Sequence, residues 1–226
     1  MKIYKSEKPL LFDSGTYPYP FGDEDCRYYM LCEDDAGEAS ASALLSSLAV
    51  CRIDDSSYET YAYTMPSKRR KGCFTALWNK ARSDLADEGS SPVTVSFVTS
   101  DSDEGAEEVL KKLCAAPARS EFFMGRDLTD ADEAAYCGIS DDNLVSYEIL
   151  PWSEGCAYLY SFTVREEFRG LGVGRLAFSD ILAHLRKDGC RHICLQVSGD
   201  NTPALRIYEG AGLTVERELH YHDYII

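Results

Sequence analysis

Hydrophobic positions in the last third of the chain fall into two alternating rhythms. Cys156–Val164 (CAYLYSFTV) is dense in aromatic and β-branched residues and too short to bury a helical face, which predicts a strand. After a glycine-rich stretch, Ala177, Phe178, Ile181, Leu182 and Leu185 recur at helical spacing. Arg186, Lys187 and then Gly189 supply a helix stop. His192–Ser198 (HICLQVS) reads as a second strand. A short helix then opens at Asn201 or Thr202, with Pro203 in its first turn and Gly212 beyond its end. The tail from Leu213 reads as one or two further strands.

The first half carries the same order of signals. Ser57–Met65 predicts a strand, Phe74, Leu77, Trp78 and Ala81 share one helical face, Pro92–Ser100 predicts a strand, and residues 104–115 a helix. Arg69 and Gly72 map onto Arg169 and Gly172 at an offset of 100, and Ala106 and Leu110 onto Ala204 and Tyr208 at an offset of 98. An order-preserving repeat of this length predicts a duplicated α/β unit, a mixed twisted sheet with flanking helices present twice. The expected division is residues 1–125 and 126–226. Asp127, Asp130, Asp132 and Glu133 at the junction read as a solvated connector.

Composition narrows the function. Hydrophobic residues make up 45% of the 226, enough for a core, and the formal charge is −15. An acidic surface repels phosphate backbones and anionic lipid, so neither nucleic acid nor membrane is an expected partner, whereas an amine-bearing one fits. No stretch has the apolar length of a signal peptide or a membrane span, which predicts a cytoplasmic protein. The nine cysteines follow no disulfide framework. Cys190 and Cys194, with His192 between them, lack the paired knots of a structural zinc site. Reduced thiols and no metal are expected.

The sharpest chemistry lies in Arg169-Gly170-Leu171-Gly172-Val173-Gly174, between a strand end and a helix start. A helix N-terminus leaves its first N–H groups unpaired and partly positive, and glycines let an anion approach the backbone closely. Phosphate or pyrophosphate is the expected ligand. The Walker pattern is absent, and the dinucleotide fingerprint fails because Arg175 stands where its third Gly belongs.

These residues resemble the acyl-CoA-binding loop of the GNAT superfamily of N-acetyltransferases, Arg/Gln-x-x-Gly-x-Gly/Ala, met here by Arg169, Gly172 and Gly174. The segment from Leu195 to Leu213 resembles that superfamily's next block through Asn201, Ala204, Tyr208, Gly212 and Leu213. The resemblance covers residues 135–226 and implies the GNAT fold and acetyl-CoA as acyl donor to a primary amine, on a small molecule or a peptide. It implies that the backbone of the Phe162-Thr163-Val164 strand end pairs with pantetheine like an added strand. Amides from Gly170 through Leu171, Gly172, Val173 and Gly174 to Arg175 would hold the pyrophosphate, and Asn201 and Ala204 would line the cofactor. Tyr208 would protonate the departing thiolate, a sensible task for a phenol of pKa about 10 facing a thiol near 8.5. The attacking ammonium must also lose a proton, and Glu148, Glu154, His220 and His222 are the candidate bases.

The first half resembles the superfamily less well. It keeps Arg69 and Gly72 but has Phe74 at the second small position, Leu110 in place of the tyrosine, and Asp103 near the place of the asparagine. It reads as a degenerate, structural copy. Two other classes compete with an N-acetyltransferase: an acyl-CoA-binding module without catalysis, and an interaction protein on the same scaffold.

Overall fold

The structure, a computed structural model, describes residues 1–7, 25–33, 43–88, 92–101, 103, 105–136, 138 and 143–226. The chain divides into two compact units, Met1–Ala118 with His220–Ile226, and Arg119–Leu219.

The first unit is a sheet in the order β1 (Lys2–Ser6), β2 (Cys26–Cys32), β3 (Leu44–Arg52), β4 (Ser57–Thr64), β5 (Thr94–Ser100), with α1 (Cys73–Asp87) and α2 (Ala106–Leu113). β1 to β4 pair antiparallel and β4 with β5 parallel. Reciprocal backbone hydrogen bonds between Val93 and Ile226, 3.2 and 2.9 Å, bring the chain's last residues alongside the start of β5. α1 buries Leu77, Trp78 and Ala81 of the predicted stripe, together with Cys73 and Leu85, while Phe74 is only partly buried against the same core. Trp78 stands edge-on to Phe97 at 4.7 Å in this core. The thiol expectation needs one correction: Cys26 and Cys51, directly paired across β2 and β3, form a disulfide. Their register, invisible in linear spacing, brings them together.

The second unit contains β6 (Ala116–Asp127), α3 (Asp130–Ala134), β7 (Val145–Ser153), β8 (Cys156–Val164), α4 (Val173–Lys187), β9 (His192–Ser198) and α5 (Thr202–Gly210). The last strand, β10 (Thr214–Ile225), belongs to this unit as far as Leu219. The order is β10-β6-β9-β8-β7. β8 and β9 are parallel, while β6–β9 and β7–β8 are antiparallel. Position 125/126, the division expected from sequence, falls inside β6. Of the acidic cluster beside it, Asp127, Asp130 and Glu133 are exposed as expected, but the segment ends β6 and begins α3 instead of connecting two units. Thr129 and Asp132 form a capping box on α3, and Arg126 pairs with Asp132, so Asp132 serves the start of a helix.

Both helices packed on β8 and β9 end in the same way. Gly189, at φ +89, follows α4, and its N–H and that of Cys190 bond to the carbonyls of Arg186 and Leu185 (3.0 and 2.9 Å). Gly212, at φ +86, follows α5, and its N–H and that of Leu213 bond to Glu209 and Tyr208 (2.9 and 3.0 Å). These are Schellman stops, and the second buries Leu213 in the same core as Tyr208. Gly174 serves packing. A Cβ there would lie 2.9 Å from Ile207 Cδ1 and 3.0 Å from Val164 Cγ2. Gly174→Ala is therefore expected to destabilise the protein by about 1–2 kcal/mol in chemical denaturation, the overpacking outweighing the gain in helix propensity. Among the described residues, no helix is long and apolar enough to cross a membrane.

Candidate functional site

β8 and β9 run side by side only from the Cys156–His192 pair to the Leu159–Leu195 pair. β8 continues to Val164 and β9 to Ser198 beyond that point, so the two strands fork. Peptide groups along Tyr160–Val164 are left an edge that β9 does not cover, the expected berth for an extended ligand.

A bulge sits at the mouth of the fork. Ser146 faces Thr163 and Glu148 faces Tyr160, so Ser161 and Phe162 together oppose Tyr147. Ser161 takes φ +55, unusual for a residue with a Cβ. The extra residue resets the alternation of side chains. Ala157 and Leu159 face the helices before it, and Phe162 does so after it, against Phe178 at 5.8 Å and Tyr208 at 6.4 Å. Thr163 is exposed, its hydroxyl bonded to the Ser161 carbonyl at 3.3 Å.

From Val164 the chain makes a one-turn 3-10 helix at Glu166–Phe168 and enters α4. Arg169 is turned back toward the strand, its Nε donating to the Val164 carbonyl at 2.9 Å. Gly170 and Gly172 hold φ +75 and +82, and a Cβ on either would meet nothing within 4 Å. The backbone conformation demands glycine at both places while the space before them stays open. α4 has no side-chain cap and no acid in its first turn. Its first internal bond runs from the Leu176 N–H to the Gly172 carbonyl at 3.3 Å. The N–H groups of Val173, Gly174 and Arg175 thus lack helical partners, with Arg175 a cation at the positive end of the helix. Leu171 is exposed at the loop tip. Unpaired amides, nearby cations and open glycines make an anion cradle.

Tyr208 lies in α5 with its ring buried against Phe178 at 5.1 Å, and burial pushes its pKa up to about 12. Phe162 links it to the fork. Asn201 caps α5, its side-chain oxygen accepting from the Ala204 N–H at 3.2 Å, which gives both residues a local structural task. Of the two candidate bases in the second unit, Glu148 is placed beside the fork, accepting a short hydrogen bond from Tyr160. Glu154 lies in the β7–β8 turn, before the start of β8, and Phe162 is six residues beyond that start, roughly 20 Å at about 3.3 Å per residue. That distance removes it as a base. His220 and His222 belong to the first unit, where His220 bonds Asp101 at 2.8 Å and burial lowers the pKa of His222.

The first unit repeats the local geometry of the loop. Arg69 Nε donates to the Thr64 carbonyl at 3.3 Å, and Gly72, at φ +80, opens α1. The Ala76 N–H bonds to Gly72 at 2.9 Å, and the β4–β5 ladder stops at Thr60–Phe97, before β4 ends. Arg70 holds φ +60 where the second unit has Gly170, and its guanidinium pairs with Glu108 at 2.8 Å.

Residues 116–213 match the acetyltransferase (GNAT) family model. A mycothiol acetyltransferase from Geodermatophilus obscurus is 42% identical over 62 residues, 27% of this chain, and the chain spans 20% of the length of that relative. A GCN5-related N-acetyltransferase from Sphaerobacter thermophilus superposes with a TM-score of 0.68 at 15% identity, covering 89% of this chain and 80% of its own. A tandem GNAT protein from the clavulanic acid biosynthesis pathway superposes at 0.65 and 13% identity, over 88% and 82%. At these identities the superpositions show the fold.

Proposed function

We propose that residues 116–213, which match the GNAT acetyltransferase family model, form an acetyltransferase domain, and that the chain transfers an acetyl group from acetyl-CoA to a primary amine. The observation that carries this reading is the continuity from the uncovered edge of Tyr160–Val164 into the open glycines and free amides before α4. Pantetheine would extend the sheet at the fork, pyrophosphate would take the amides of Val173, Gly174 and Arg175, and the thioester would come to rest near Phe162 and Tyr208. The amine nitrogen bonds to the acetyl carbon as the carbon–sulfur bond breaks. The amine's surplus proton leaves to water or to Glu148, and the departing sulfur is met by the Tyr208 hydroxyl. The acceptor is a small molecule or a peptide, and the chain works in the cytoplasm.

We assign the first unit as a degenerate copy of the second. It keeps the loop's backbone course, but Phe74 stands at the position of Gly174 and Leu110 at that of Tyr208. Calorimetric titration should give one acetyl-CoA per chain, and Gly72→Glu should leave that affinity unchanged. Two equivalents, one of them lost in Gly72→Glu, would show that both units bind. An amine panel monitored for CoA release tests the transfer itself. Binding without release from any amine would favour a non-catalytic acyl-CoA-binding module.

A further inference from the structure

The fork has two sides, and the bulge separates them. Phe162 turns toward α4 and α5, where Phe178 and Tyr208 pack around it. Tyr160, two residues earlier, alternates with Ala157 and Leu159 of the helix-side core and so faces the other way. Glu148, opposite Tyr160 on β7, stands on that same side and accepts the Tyr160 hydroxyl. Packed rings close the helix side, so the side of Tyr160 and Glu148 is the one open to an amine.

That side carries a continuous row of rings leading away from the fork. Tyr160 lies 6.2 Å from Tyr158 at 22°, Tyr158 lies 5.1 Å from Trp152 at 25°, and Trp152 meets Phe123 at 5.6 Å. All four rings are half-buried, and none belongs to the apolar cluster under α4 and α5. Leu150, opposite Tyr158 on β7, is 37% exposed and widens the strip. The row ends at a cavity of about 350 Å³ lined by Phe123 and Trp152 together with Cys156 and Cys194. Those cysteines are free thiols with sulfurs 3.8 Å apart, and burial pushes the pKa of both up, so they are neutral. Arg191, His192 and Glu216 also line the cavity and end the apolar run. A carboxylate at the fork and an uncharged strip leading from it fit one kind of ligand, a single ammonium at the end of an aromatic or long apolar body. A polyamine would lay further ammonium groups on the rings and Leu150, a desolvation cost without a matching carboxylate. Glu121, beside Phe123 on this face, is already held by Gln196 and Arg119.

We propose that this row is the acceptor's binding surface and that the acceptor is a primary amine on an aromatic or long apolar body, its nitrogen at Glu148 and its body along Tyr158, Leu150 and Trp152. The inference rests on the transferase reading above and adds the substrate class to it. Burying such a body on the strip should raise affinity about 10–100-fold over an amine too short to reach it.

Tryptophan emission tests binding without acetyl-CoA. The sequence has two tryptophans, and Trp78 is sealed in the first unit's core, so an amine reaching the row is reported by Trp152. Phenylbutylamine added to the full-length protein should change the emission saturably, and Trp152→Phe should abolish the change. Ethylamine and spermidine should compete about 10–100-fold more weakly. Tyr158→Ala should weaken phenylbutylamine at least about 10-fold, and so should Leu150→Lys, whose exposed position keeps the fold safe should the first variant fail to fold. Ile149→Lys, one residue along β7 but on the other face, should leave the affinity unchanged. With acetyl-CoA present, kcat/KM from CoA release should favour phenylbutylamine over ethylamine about 10–100-fold, and Trp152→Ala should erase the difference by lowering only the former. Saturable binding with no CoA release from any amine would support the row as an amine site and count against the transferase reading. CoA release without preference for phenylbutylamine, spermidine binding more tightly than phenylbutylamine, or an affinity that ignores both Tyr158→Ala and Leu150→Lys overturns the row and leaves the transferase reading standing.

Discussion

Gly172→Glu is expected to abolish measurable acetyl-CoA binding while leaving the protein folded. Position 172 has φ +82, and a side chain there would meet no protein atom within 4 Å. The fold's penalty is therefore left-handed backbone strain of about 1–2 kcal/mol. The chain already carries such strain at Arg70 (φ +60) and Ser161 (φ +55). A carboxylate at the start of α4 also favours the helix by interacting with its positive end, partly offsetting the strain. Cofactor binding has no such offset. The glutamate enters the space where pyrophosphate would accept the amides of Val173, Gly174 and Arg175, competes for those donors and repels the phosphates. A loss exceeding about 100-fold, near 2.7 kcal/mol, is expected by calorimetry. Gly172→Ala, which adds strain without charge, should lose much less. Unchanged affinity in folded Gly172→Glu would show that the anion sits elsewhere.

Sequence alone delivers the second unit from β8 to α5 closely, for local reasons. β8 and β9 are short apolar runs with the signature of buried strands, and their predicted limits are the observed ones. α4 and α5 end on Gly189 and Gly212, whose Schellman geometry depends on a few adjacent residues. Strands with mixed patterns escape detection. β3 buries Ser46 and Ser47 within an apolar run, and Ser46 settles its hydroxyl on the Tyr63 carbonyl at 3.0 Å and the Thr64 hydroxyl at 2.8 Å. β7 carries Pro151 and two separate register shifts. In the candidate site, the glycine loop and Tyr208 are legible because each sits in a compact motif. The bulge is not, because nothing in the residue type of Ser161 demands φ +55; it is the pairing with β7 that imposes it. Register also hides the Cys26–Cys51 disulfide and the Cys156–Cys194 pair, whose partners meet only after strands align. Glu148 and Glu154 look alike in sequence, yet the β7–β8 hairpin puts one at the fork and the other at the turn.

Tyr208→Phe is expected to lower kcat by about 10–10³-fold with acetyl-CoA affinity unchanged. The ring keeps its contacts with Phe178 and Phe162, so packing and the fork survive the loss of one oxygen. In the proposed reaction the hydroxyl would act on charge that appears only as the carbon–sulfur bond breaks, so kcat should fall and ground-state binding should not. Burial shapes how it acts. With its pKa pushed up to about 12, the phenol is a weaker acid than a thiol of pKa about 8.5. Complete proton transfer to the thiolate is uphill by about 3.5 pKa units, near 5 kcal/mol. In the proposed reaction Tyr208 would therefore stabilise the leaving sulfur chiefly as a hydrogen-bond donor, with water completing the protonation. It follows that the pH–rate profiles of wild type and variant should run parallel below about pH 12, displaced vertically, with the same acid limb from the amine and its base. Stability gives a second readout. The raised pKa is a contribution fully present below pH 10 and lost as pH climbs through about 12, so Tyr208→Phe should withstand alkaline unfolding better in that window. A variant with near-wild-type kcat on a true acceptor, yet with that alkaline gain, would confine Tyr208 to the core and leave the departing sulfur to another donor.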